Sequence, residues 1–80
     1  KPFKTIQNIH HFVSYQCETI SQYAFKDCRQ LRTVKCPNVK IVEICAFESC
    51  SSLYNINFQK LITLQSHAFI NCTALIQVII

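Results

Sequence analysis

Ala24-Phe25-x-x-Cys28-x-x-Leu31 recurs as Ala46-Phe47-x-x-Cys50-x-x-Leu53 and again as Ala68-Phe69-x-x-Cys72-x-x-Leu75, each copy displaced by 22 residues from the one before. A fixed period of this length marks a chain built from one supersecondary unit stacked on itself, because so short a unit cannot cover its own apolar face. Apolar character keeps the same phase where identity is lost: Ile20, Val42 and Leu64; Val34, Ile56 and Val78; Cys17, Val39 and Leu61. Subtracting one more period sets Phe3 beside Phe25, Ile9 beside Leu31 and Phe12 beside Val34. Residues 1–80 are therefore expected to form a single repeat domain, with a partial, degenerate copy at 1–14 and complete copies at 15–36, 37–58 and 59–80.

Within a copy, the three-residue spacing of Phe25, Cys28 and Leu31 predicts a short helical turn or 3₁₀ segment with those side chains on one inward face. From Thr33 onward the pattern changes to polar, apolar, polar, apolar, and Asn55-Ile56-Asn57-Phe58 repeats it, which is the period of a strand. Pro37 lacks a backbone donor and Pro37-Asn38 marks a corner, after which Val39 to Val42 read as a second extended stretch. One copy is then one coil. Phe25 is expected to stack on Phe47, and Phe47 on Phe69, with strands of adjacent coils pairing in parallel at about 4.8 Å.

These motifs resemble the BspA-type leucine-rich repeat, whose usual form is a Pro-started segment, an apolar pair, then Ala-Phe-x-x-Cys-x-x-Leu-x-x-Ile. The resemblance covers positions 15 to 80 well and 1 to 14 weakly. It implies an α/β solenoid of 22-residue coils, with a parallel sheet on the concave side and short helical turns opposite. It also implies a place among bacterial and protist proteins often displayed at the cell surface and used in adhesion. Family members commonly carry Gly after the apolar residue that precedes Ala-Phe and again before the Cys. Here those sites hold Ser21, Glu43 and Gln65, and Asp27, Ser49 and Asn71, in a chain with no glycine at all. Asp and Asn tolerate a left-handed backbone better than most residues.

Eight Lys and Arg against four Asp and Glu give a net charge of +4, but the cations are scattered and form no basic run, so nucleic acid is not an expected partner. No apolar run approaches the ~18–20 residues of a membrane span, and no membrane insertion is expected. The chain starts on Lys1 rather than Met and closes on Val78-Ile79-Ile80, which reads as a segment of a longer array. Cys28, Cys50 and Cys72 share one inward phase, while Cys17 and Cys36 fill slots held elsewhere by Val39 and Phe58; packed thiols are expected. A rung-to-rung bridge such as Cys28 to Cys50 also fits the ~4.4–6.8 Å Cα window of a disulfide. Cys45-x₄-Cys50 and His67-x₄-Cys72 have the look of a zinc set, yet the repeat alone accounts for each member, and no metal or cofactor is expected. His10 and His11 have no partner in phase for nucleophilic catalysis, and Glu18, Asp27, Glu43 and Glu48 fall on outward phases of different segments, so the chain is not expected to be an enzyme. Asn71-Cys72-Thr73 matches a glycosylation acceptor, a weak signal by itself.

Residues flanking the inward strand positions should line up as two columns on the outer face of the sheet. The first is His11, Thr33, Asn55 and Gln77; the second is Val13, Lys35, Asn57 and Ile79. The first column is polar and uncharged at neutral pH, which suits recognition of a protein or glycan. A structural spacer within a longer array is the competing expectation. The apolar end formed by Ile76, Val78, Ile79 and Ile80 adds an expectation of end-to-end self-association.

Overall fold

A computed structural model describes residues 9–79. Its elements are β1 (His11–Val13), β2 (Thr19–Ile20), β3 (Thr33–Lys35), β4 (Ile41–Val42), β5 (Asn55–Asn57), β6 (Thr63–Leu64) and β7 (Gln77–Ile79). They form two parallel sheets, one in the order β1-β3-β5-β7 and the other β2-β4-β6. Every pairing joins residues 22 apart, such as Phe12 with Val34, Val34 with Ile56, and Ile20 with Val42. The chain is thus a parallel β-solenoid of about three turns, and the second extended stretch of each coil makes a sheet of its own.

Stacking follows the repeat. Phe25 and Phe47 lie with ring centroids 5.2 Å apart and planes 2° from parallel; Phe47 and Phe69 lie at 5.3 Å and 9°. These separations are close to the spacing of paired strands, so the rings rise with the backbone. Phe12 tilts against Phe25 at 5.0 Å, continuing the column into the degenerate copy. Around it Ile20, Leu31, Val34, Val39, Val42, Leu53, Ile56 and Phe58 are buried, with no polar or charged residue among the buried set. At roughly 1.5–3 kcal/mol per buried large side chain, this core outweighs the single described ion pair, Arg29 with Asp27 at 3.6 Å on the surface.

The short helical turns expected opposite the sheet are not present: among the described residues there is no helix. The reason lies in where the backbone donors go. Ala24, Lys26 and Cys28 donate to carbonyls three residues back, on Ser21, Tyr23 and Phe25, while the alternate residues Tyr23, Phe25 and Asp27 donate to Ile44, Ala46 and Glu48 of the next coil. A helix would keep all of those donors within its own segment. Here every second one ties two coils together, and the Phe-Cys-Leu spacing comes from successive tight turns.

Those turns need left-handed residues, and the chain supplies them without glycine. Positive φ occurs at Asp27, Ser49 and Asn71, as expected, and at Tyr23, Cys45 and His67 rather than at Ser21, Glu43 and Gln65. Glu43 and Gln65 serve another purpose. Gln22 N–H donates to Glu43 Oε1 at 3.0 Å and Ile44 N–H donates to Gln65 Oε1 at 3.1 Å, so each side chain satisfies a backbone donor of the preceding coil. At the corner, Val39 N–H closes a turn onto Cys36 C=O across Pro37-Asn38, and Asn38 Nδ2 reaches back to donate to Tyr15 C=O at 2.7 Å.

All six cysteines are thiols, with no disulfide among the described residues. Cys50 Sγ donates to Phe25 C=O at 3.0 Å and Cys72 Sγ donates to Phe47 C=O at 3.1 Å, so the inward thiol of one coil adds a second hydrogen bond to a carbonyl of the coil before it. Burial pushes the Cys36 thiol up to about 12, with the neighbouring Cys17 adding to the effect. Cys50 is likewise pushed up, first by the thiols of Cys28 and Cys72 that flank it and then by burial.

Two outcomes follow. Replacing Cys45 or Ser49 with Gly relieves a left-handed residue of roughly 1–2 kcal/mol while costing part of that in chain entropy, so each variant should gain about 0.5–1 kcal/mol in urea denaturation. Ala24→Gly, at a position without positive φ, should lose stability in the same assay. The thiols set a pH dependence. Below the ordinary value of 9.0 both folded and unfolded chains hold the Cys36 proton and stability is full. Between pH 9.0 and about 12 the unfolded chain releases it first, so stability falls. Denaturation midpoints measured across that range should fall less steeply for Cys36→Val than for the parent.

Candidate functional site

The outer face of the β1-β3-β5-β7 sheet carries both expected columns in register. His11, Thr33, Asn55 and Gln77 occupy one set of paired positions, and Val13, Lys35, Asn57 and Ile79 the other. Strand alternation places them there, because Val34 and Ile56 between them are buried in the core. His11, Val13, Lys35 and Gln77 are exposed, while Thr33, Asn55 and Asn57 are half-buried.

The two columns differ in what they leave available. In the first, His11 Nδ1 and Thr33 Oγ1 share a 2.6 Å hydrogen bond, and Asn55 Nδ2 donates to Gln77 Oε1 at 3.3 Å. Its polar groups hold one another across the rungs. In the second, the Lys35 ammonium lies 5.9 Å from the centre of the Tyr15 ring and forms no ion pair among the described residues. Asn57 Oδ1 is enclosed and has no hydrogen-bond partner. An enclosed acceptor left unsatisfied costs about 1–3 kcal/mol.

Between the columns lies an open concavity of about 420 Å³, lined by His11, Val13, Thr33, Val34, Lys35, Asn55 and Asn57. Six of the eight residues expected on this face meet there; Gln77 touches it through Asn55, and Ile79 continues the second column by backbone register. Two contributors carried no binding signal in the sequence. Val34 is an inward core position that also floors the concavity, and Tyr15 is a corner residue in phase with Pro37 and Gln59.

On the turn side, Tyr23, Cys45 and His67 share one phase, with Lys26 5.5 Å from the Tyr23 ring centre. Desolvation, with Glu48 alongside, holds the Cys45 thiol above its ordinary value. His67 Nδ1 is engaged with Ser66 Oγ at 3.3 Å. Among the described residues no three His, Cys, Asp or Glu side chains gather into a metal-binding group, and no helix is long and apolar enough to cross a membrane. The chemistry that the sheet face offers is hydrogen bonding around one cation.

Comparison with known proteins agrees with this architecture. Residues 2–80 match the family model described as BspA type leucine rich repeat region (6 copies). No curated protein and no solved structure gives a significant match. Repeat regions of this kind are generally non-enzymatic modules. With its 22-residue coils, stacked Phe column and matched sequence, the chain belongs to the BspA-type leucine-rich repeat family.

Proposed function

We propose that the sheet face is the concave, docking side of a non-catalytic interaction module, which holds a protein or glycan and serves adhesion at the cell surface. The observation that carries this reading is the concavity lined by His11, Val13, Thr33, Lys35, Asn55 and Asn57, where the Lys35 ammonium lies over the Tyr15 ring and forms no ion pair among the described residues. Adhesion and surface display rest on the family likeness alone.

A second reading has its own support. In the last coil, Ile62 and Ile76 are 78% and 84% exposed, and Leu64 and Val78, whose counterparts Val42 and Ile56 are fully buried, lie open. That end is shaped to receive another coil in the same parallel register, from a longer array or from a second copy. On this reading the segment is a structural spacer without a ligand of its own.

Two measurements separate these readings. Combining Thr33→Ala, Lys35→Ala, Asn55→Ala and Asn57→Ala should reduce retention on a glycan array and on immobilised peptides at least about tenfold, with circular dichroism unchanged. Retention that survives the four substitutions excludes the sheet face. Size-exclusion chromatography over a concentration series should show concentration-dependent self-association that Ile62→Lys with Ile76→Lys abolishes. A monomer at every concentration argues against pairing through that end.

A further inference from the structure

The triplet Asn71-Cys72-Thr73 lies away from the sheet face, on the turn side of the last coil. It has the residues of an acceptor for an N-linked oligosaccharide, with Cys72 at an inward phase of the repeat. The fold divides the triplet as such an acceptor requires. Cys72 is half-buried and its thiol donates to Phe47 C=O at 3.1 Å, while Asn71 and Thr73 on either side of it are exposed. The amide to be modified and the hydroxyl that is read with it both face solvent, and only the middle side chain belongs to the core.

The coil does not itself call for these two residues. Asn71 has a φ of 62°, which asparagine tolerates, yet Asp27 and Ser49 hold 61° and 60° at the same phase of the other coils. Thr73 shares its phase with Arg29 and Ser51, so no hydroxyl is needed there. Neither Asn71 nor Thr73 makes a side-chain hydrogen bond among the described residues. A further coil stacked on this one leaves the position open: Asp27, with a coil after it, keeps 40% of its side chain exposed, and Arg29 keeps 67%. No residue of the turn over 66–71 lines the concavity, so a bulky group on Asn71 leaves the docking side clear. The same group stands beside Ile70, whose side chain is exposed.

Resting on the reading of this chain as a surface-displayed module, we propose that Asn71 is an N-glycosylation site, its Nδ2 carrying an oligosaccharide on the turn side of the stack. The donor is a lipid-pyrophosphate-linked oligosaccharide, and a membrane oligosaccharyltransferase is the catalyst. Asn71 Nδ2 attacks C1 of the first sugar. The C1–N bond forms as the C1–O bond to pyrophosphate breaks, the amide gives one proton to a base on the transferase, and the lipid pyrophosphate leaves with the electron pair. A glycan so placed is a solubilising surface group that touches neither the Phe column nor the paired strands.

The test is translation of the chain behind a cleavable secretion signal in the presence of endoplasmic-reticulum microsomes, with a known glycoprotein as a control for transfer. The parent should give one heavier band that a peptide-N-glycosidase collapses, leaving an aspartate at position 71 of the tryptic peptide 61–80. Asn71→Gln and Thr73→Val should each abolish the band, and Thr73→Ser should keep it. The glycosylated chain should retain the circular dichroism and urea midpoint of its enzyme-treated counterpart. A parent that gains no glycan while the control does, a band that survives Asn71→Gln, or a glycosylated chain that loses its β-sheet signal overturns the proposal. Microsomes admit the chain whatever its native address, so a negative result there indicts the acceptor. A positive result beside an unglycosylated chain from its source cells refutes surface display, and the glycan with it. Loss of the docking reading has a separate signature: array retention that persists in the four-alanine variant.

Discussion

A 22-residue coil has no interior of its own. Phe25 is buried because Phe12 lies on one side of it and Phe47 on the other, and Phe47 is buried because Phe25 and Phe69 flank it. The same holds for the strands, each of which finds its backbone partners only in the coil before and the coil after. Contact between neighbours is therefore the quantity that the whole structure draws on. It explains why the fully buried residues cluster in the middle coils while Leu61, Phe69, Cys72 and Leu75 of the last coil are only partly covered.

The same dependence shapes the turn side. A segment with every second N–H pointing to the next coil cannot be a helix, and it needs a left-handed residue at each tight turn to keep the alternate donors aimed outward. Tyr23 and Cys45 occupy such positions although neither is a favoured residue there. The strain is tolerated because the inter-coil hydrogen bonds and the Phe column over-determine the backbone on both sides. Local preference yields to the lattice of neighbours.

How much of this could be read in advance varies from residue to residue. The period, the Phe column, the corner at Pro37 and the pairing of His11 with Thr33 and of Thr33 with Asn55 were legible, because they depend only on spacing and on the two-residue alternation of a strand. The turns were not. An i, i+3 apolar spacing is produced equally by a 3₁₀ segment and by consecutive tight turns, and nothing in a Tyr, Cys or His announces positive φ. Glu43 and Gln65 stand where the family commonly has glycine, yet they act as caps on a neighbouring coil. For the sheet face, the columns could be placed by register, but the mutual engagement of the first and, in the second, the seat of Lys35 over Tyr15 and the enclosed Asn57 oxygen depend on side-chain rotamers that no sequence pattern encodes.

The thiol at the inward position illustrates how a repeat becomes interdependent. Cys50 donates to the carbonyl of Phe25 and Cys72 to that of Phe47, each reaching 25 residues back along the chain. The side chain in one unit thus adds a second hydrogen bond to a carbonyl of its predecessor, which already accepts the N–H of Cys28 or Cys50 in its own coil. Drift in such a sequence is directional: a donor lost at this slot is felt upstream, by an older turn whose own residues have not changed. Divergence is then cheapest where no successor relies on the residue, at the extremities of a stack, and selection bears hardest on its middle members.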